Sequence, residues 1–426
     1  MTRAAARIAT RSASGLRIAG ESVRDALLWL TGLAGAFALI EPSPYELVAI
    51  LAMVAFLPGG LSLSRHLVPL LLLLSLINVG YAIAVVPVSG EVKPVTWVLI
   101  SAFLAVTAVF YAAILASATQ RRLELLLRGY TAAAIIASLI AAAAYFRLLG
   151  GASDLFLLYG RARGTFNDPN VLGGFLVLPS LLALQALLAG RRVARNALAL
   201  LIMLVGLFLT FSRGAWGQLA FAAAVLMALT YITSRSASER ARIFFVAAAG
   251  LFAIAILVAV LLSIGKVAEV FSERASLEQS YDLGRYGRFG RYLLGADLAL
   301  DHPLGIGPLQ FYLYFIEDPH NTFLNAFMSG GWLAGFGYFS LCLLTLAAGT
   351  RFLLVRTPWQ RLYHVVYAAY LGVIGESVII DIDHWRHYFL ILGVLWGLMA
   401  ASHRFASEAS AAETMGSDLA RRAARA

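Results

Sequence analysis

Charged residues make up only 13% of this 426-residue chain, against 61% apolar. A soluble globular domain carries about 25% charge, so the balance excludes one. There is a single cysteine, Cys342, inside an apolar run. It cannot pair within the chain and says nothing about redox compartment. The ~10-residue alternating segments of a spanning β-barrel are absent as well. The basic start, MTRAAARIATRSASGLRIAGESVRD, leads into an apolar run with no small-x-small cleavage pattern behind it. That run reads as an uncleaved first span rather than a signal peptide. The net charge of +10 invites a nucleic-acid reading, but no nucleic-acid motif accompanies it.

What the chain does hold is a series of apolar runs long enough to cross a ~30 Å hydrocarbon core as helices. Twelve candidate spans fall at about 25–41, 45–61, 67–88, 95–117, 126–147, 170–189, 196–211, 215–233, 243–264, 322–349, 363–380 and 387–402. The fold class is therefore an all-α polytopic membrane protein. The connections alternate between two sides, and most of the 33 Lys and Arg residues lie on one of them, in stretches such as QRRLELLLR, GRRVARN and SRSASERAR. By the positive-inside rule that side is cytoplasmic, with both termini. The basic surplus is a topology signal and a contact for anionic lipid headgroups. The chain divides into a basic cytoplasmic segment 1–24, a membrane domain 25–402 and a cytoplasmic tail 403–426.

The opposite, outer side receives the connections at 42–44, 89–94, 148–169, 212–214, 265–321 and 381–386. Only 148–169 and 265–321 are long. Within the second, Phe289, Tyr292, Leu293, Ala296 and Leu300 recur at helical spacing, which predicts an amphipathic helix on or near the membrane. The run from His320 to Gly349 is too long for one straight crossing, and Ser329-Gly330-Gly331 is the expected break or close-packing step.

Polar groups gather on this outer side. The turn LTFSRGAW holds Arg213, GRARGTFNDPN holds Arg161 and Arg163, and GRYGRFGR holds Arg285, Arg288 and Arg291. EDPHNTF holds His320 and Asn321, and DIDHWRH holds Asp381, Asp383, His384, Arg386 and His387. The spans themselves carry few ionisable groups, Glu376 being the clearest exception. A secondary transporter or flippase keeps its binding groups near mid-membrane on two related halves; neither feature is legible here. Converging arginines suit phosphate oxygens, because the guanidinium is a planar fork of donors, and several suit a diphosphate better than a lone carboxylate.

Four stretches in this order, GTFNDPNVLGGFLVL, TFSRGAW, RFGRYLLGADLALDHPLGIGP and HNTFLNAFMSGGW, resemble the O-antigen ligase and polymerase superfamily over roughly residues 150–350. The resemblance implies a bacterial inner-membrane glycosyltransferase of GT-C-like helical fold. It implies transfer of glycan from an undecaprenyl-diphosphate donor at the periplasmic face, in surface-polysaccharide assembly, without metal or other cofactor. The acceptor is a saccharide on another lipid-linked repeat unit in polymerases and lipid A-core in ligases. The sequence marks neither, with a slight preference for the polymerase. Other polysaccharide-assembly proteins are implied partners. Matched residue by residue, the family's arginines fall on Arg213 and on Arg288 or its rival Arg291. A third falls on Arg161 or Arg163, and its histidine falls on His320.

On this reading Arg213 and Arg288 grip the donor diphosphate, with Arg161, Arg163, Arg285, Arg291 and Asn321 as further substrate contacts. His320 takes the acceptor proton or positions the acceptor, and direct attack inverts the anomeric centre. Structural roles compete at each position. Outer arginines also snorkel to lipid phosphates. Asn321 is a ready helix cap beside His320, and Asn167, Asp168 and Asn170 around Pro169 make a helix start. DIDHWRH has metal-like spacing but no second ligand cluster, and reads as an interfacial turn with Trp385 at headgroup level. Trp216 and Trp332 read as interface anchors.

Overall fold

The computed structural model describes residues 20–59, 61, 63–115, 117–275, 287–315 and 318–423. A helix stands at every one of the twelve predicted spans. In chain order they are α1 (20–34), α2 (Pro44–Phe56), α3 (Val68–Ala84), α4 (Val92–Ile114), α5 (Thr119–Tyr145), α6 (Pro169–Leu188), α7 (Val193–Leu209), α8 (Arg213–Thr233) and α9 (Ala237–Leu262). After the outer loop helices α10 (Gly265–Ala275) and α11 (Arg288–Asp301) come α12 (Thr322–Thr350), α13 (Gln360–Glu376) and α14 (Arg386–Ala423). The protein is an all-α polytopic membrane protein. Eight of these helices are long and apolar enough by themselves to cross a bilayer. Of the other four, α2 and α7 are apolar but shorter, at 13 and 17 residues. The tail expected from residue 403 continues α14 as helix.

Small residues let the helices pack closely, as they must where lipid gives no hydrophobic drive to associate. A Cβ on Gly393 of α14 would stand 2.2 Å from the Ala108 carbonyl of α4, and one on Gly80 of α3 would stand 2.6 Å from the Gly330 carbonyl of α12. The helix pairs α3–α12, α4–α14, α8–α13 and α6–α7 make the principal contacts. α6 and α14 are the most enclosed of the eight long spans and α9 the least.

The predicted break in α12 is present. Gly331 has φ 66° and ψ −166° inside the helix, a region open almost only to glycine. The 303–307 loop fills the gap: Trp332 N donates to Pro303 O at 2.9 Å, and Ile306 N donates to Met328 O at 2.8 Å. The 19 residues from the break to Thr350 span about 28 Å, close to one ~30 Å crossing.

Contacts join several of the connections that the sequence reading puts on the outer side. There Ala38 N donates to Thr165 O at 2.9 Å, joining the α1–α2 turn to the 148–168 connection. Arg386, at the start of α14, bonds Glu46 at 2.7 Å and Glu41 at 3.1 Å. The 148–168 connection contains a two-stranded hairpin, β1 (Leu157–Leu158) and β2 (Arg161–Ala162), in antiparallel register Leu158↔Arg161. Tyr159 and Gly160, both at positive φ, form its two-residue turn.

Candidate active site

The hairpin aims Arg161 at the SRG turn. Arg161 Nε donates to Thr210 O at 2.7 Å, and Nη2 donates to Asn170 Oδ1 at 2.8 Å. Arg163 instead bonds its own loop, at Asn167 O and Leu155 O. The two arginines that the sequence left equivalent are thereby distinguished. Pro169 opens α6, with Asp168 as its cap accepting from Asn170 N at 2.6 Å. Asp168 thus carries the helix start, and Asn170 also receives Arg161.

Phe211 turns the chain with a φ of 48°, and Ser212 caps α8, accepting from Ala215 N at 3.4 Å. Arg213 is the first residue of α8 and half-buried. It stands where the helix N-terminus already favours negative charge. Glycine makes room around it: a Cβ on Gly173 of α6 would be 2.5 Å from the Ala215 Cβ, and one on Gly214 would be 2.8 Å from Glu376 Oε1.

Glu376 therefore lies against the SRG turn. It ends α13, and the Gln218 amide, oriented to suit both partners, donates to its Oε2 at 2.6 Å. The residues that follow it, 377–383, bond α11 and the start of α12. Ser377 O accepts from Thr322 N at 2.9 Å. Val378 O accepts from Tyr292 Oη at 3.0 Å and from Asn321 Nδ2 at 3.0 Å. The Thr322 hydroxyl donates to Ile380 O and accepts from Ile382 N, both at 2.9 Å. Asp383 accepts from Asn325 Nδ2 at 2.9 Å. The SRG turn and the HNT turn thus meet on the neighbouring residues Glu376 and Ser377.

His320 is at the opening of α12 with φ 49°. Its Nδ1 is 3.7 Å from Asp381 Oδ2, and Tyr292 Oη reaches its carbonyl at 3.1 Å. Asn321 is the helix cap, its Oδ1 accepting from Leu324 N at 3.0 Å. Arg288 is the first residue of α11. Arg291, only 3% exposed, donates from Nη1 to Asp318 O at 3.2 Å. Arg285 lies outside the described residues.

Residues 198–339 match the O-antigen ligase family. This stretch, a third of the chain, is similar to O-antigen ligases. The matched stretch runs from α7 through the SRG turn, the 265–321 connection and the broken part of α12. No curated protein matches the chain. The match supports a ligase- or polymerase-type function in surface-polysaccharide assembly.

Arg161 and the 377–384 segment lie outside the matched stretch, yet both are bonded into it. DIDHWRH, an interfacial turn by sequence, bonds the start of α12 through Asp381, Ile382 and Asp383. The only signal for it was the density of Asp and His just beyond the carboxylate Glu376. Trp385 differs from expectation: it is 6% exposed, because the bare Gly174 backbone of α6 opens a slot for its ring. Trp216 stacks on Phe208 and Phe271. Trp332 donates to Ala299 O at 2.9 Å, fastening α11 to α12. Tyr292, expected on the apolar face of α11, turns to His320 instead. Among the described residues no group of three His, Cys, Asp or Glu is placed to hold a metal ion.

Proposed function

We propose that this chain transfers glycan from an undecaprenyl-diphosphate donor to an acceptor hydroxyl at the periplasmic rim of a GT-C-like helical framework in the bacterial inner membrane. Arg213 and Arg288 hold the diphosphate, and Arg161 braces the turn that presents Arg213. The acceptor oxygen attacks the anomeric carbon, and the bond from that carbon to the phosphate oxygen breaks. The electron pair leaves with the diphosphate, where guanidinium groups stabilise the growing charge. Such preorganised charge is often the largest catalytic contribution. The acceptor proton passes to His320, whose imidazolium faces Asp381. Attack opposite the leaving group inverts the anomeric centre.

One observation carries this reading. The SRG turn and the His320 turn, more than a hundred residues apart in sequence, meet on Glu376 and Ser377. Their shared neighbours support a phosphate clamp and a proton acceptor on one rim. The matched family is described as a ligase, which favours lipid A-core as acceptor; the repeat-unit polymerase is the companion reading. Reconstitution in proteoliposomes with an undecaprenyl-diphosphate oligosaccharide separates them. A ladder of lengthening products without lipid A-core identifies a polymerase, and a single transfer onto added core identifies a ligase. Donor crossing the bilayer with no new glycosidic bond would refute the enzyme and favour a flippase.

A further inference from the structure

α11 presents three different faces. Arg291, Gly295 and Ala299 are buried, the last two against Leu324 and Trp332 of α12. Phe289, Leu293, Ala296 and Leu300 form a second stripe and are exposed, Leu293 at 74% and Leu300 at 67%. Asp297 and Asp301 form a third, also exposed, roughly a quarter-turn from the apolar stripe at 3.6 residues per turn. A helix wholly in water has no use for the second stripe, and one wholly in lipid cannot carry the third.

The depth of α11 follows from its neighbour. The first segment of α12 is tied at Thr322 to Ser377, one residue beyond the end of α13. At Gly330 it packs on Gly80 and Tyr81, within four residues of the end of α3. Both anchors sit at outer helix ends, so residues 322–330 run along the outer boundary of the bundle instead of through it. α11 runs beside them: Tyr292 meets His320, Gly295 meets Leu324, and Pro303 meets Trp332. Trp332, bonded to Ala299 of α11, is exposed, as are Phe336 and Phe339 further along the α12 crossing, so exposed apolar surface extends from beside α11 along that crossing.

We propose that α11 lies in the membrane plane with Phe289, Leu293 and Leu300 seated in the acyl region of the outer leaflet and Asp297 and Asp301 in water. An interfacial helix of this kind buries its apolar face ~5–10 Å into the headgroup boundary. The occupant is bilayer lipid, because the stripe continues the bundle's own lipid-facing surface. The helix then fixes the height of residues 318–320 above the leaflet through Arg291 and Tyr292. The consequence for transfer rests on the functional reading above; the seating itself does not.

The test uses the full chain, one copy per nanodisc, without polyprenyl donor. Cys342 is buried, so Leu293→Cys, Leu300→Cys and Asp297→Cys each add one accessible thiol for an environment-sensitive fluorophore. Acyl-chain-brominated lipid is expected to quench the labels at 293 and 300 to a similar extent, severalfold more than aqueous iodide does. The label at 297 is expected to show the reverse. Iodide quenching at 293 and 300 equal to that at 297 would overturn the proposal. So would bromolipid quenching at 300 but not at 293, which describes an upright helix. Protection that arises only on adding an undecaprenyl-diphosphate donor would make the stripe a donor contact and overturn it too. None of these readouts depends on transfer activity.

Discussion

His320 adopts a left-handed backbone, a conformation that costs a non-glycine residue about 1–3 kcal/mol. The bonds from Tyr292 to its carbonyl and from Asn321 to Val378 offset that strain and hold the imidazole facing Asp381. If His320 accepts the acceptor proton, Asp381 stabilises the cation that forms. A partly exposed ion pair at 3.7 Å contributes about 0.2–1 kcal/mol. Asp381→Asn should therefore lower kcat by about two- to fivefold, with KM little changed, in steady-state transfer assays. His320→Gln should lower it by about a hundredfold or more. A matching rise in KM for Asp381→Asn, with kcat intact, would assign the carboxylate to acceptor binding. At this scale the sequence was legible for Asn321 as the cap, Asp168 as the cap of α6 and Arg213 at the rim, since each is set by its immediate neighbours. The Arg161–Arg163 choice was not legible, because Thr210 lies far along the chain.

Among the elements, α12 is the one whose irregularity does most for the site. Its break at Gly331 could be expected from a run too long for one crossing and a Ser-Gly-Gly step. Its partner could not, because the PLGIGP loop supplies backbone groups that carry no sequence signal. A Cβ at Gly331 would come within 2.4 Å of Pro303 O in a backbone conformation that side chains rarely adopt. Gly331→Ala should cost at least about 1–3 kcal/mol, read as a lowered Tm in detergent. Gly375→Ala is the control: nothing stands within 4 Å of its Cβ position, so it should be neutral or slightly stabilising in a helix. Equal Tm for the two variants would contradict the tight closure of the loop on the break. Hydrophobic spacing found α11, but not which side of it faces the protein: its buried face is led by an arginine, and burial of Arg291 depends on a carbonyl 27 residues away.

Over the whole molecule the division of charge is the strongest message. Apolar run length is a local property, so all twelve predicted spans have helices, and the basic loops indicate orientation without any tertiary information. What local reading cannot supply is convergence. The outer rim is assembled from the 148–168 hairpin, the SRG turn, α11, the His320 turn and residues 377–384. Only folding shows that the last of these joins the others. The central claim is that Arg213 stabilises the departing diphosphate from this rim. Its most direct test is the single-turnover rate of glycan transfer from saturating undecaprenyl-diphosphate oligosaccharide, for Arg213→Lys beside the unaltered chain in proteoliposomes. Lysine keeps the charge and loses the fork, so the rate should fall by about a hundredfold with the protein still folded. A rate equal to that of the unaltered chain would contradict the claim.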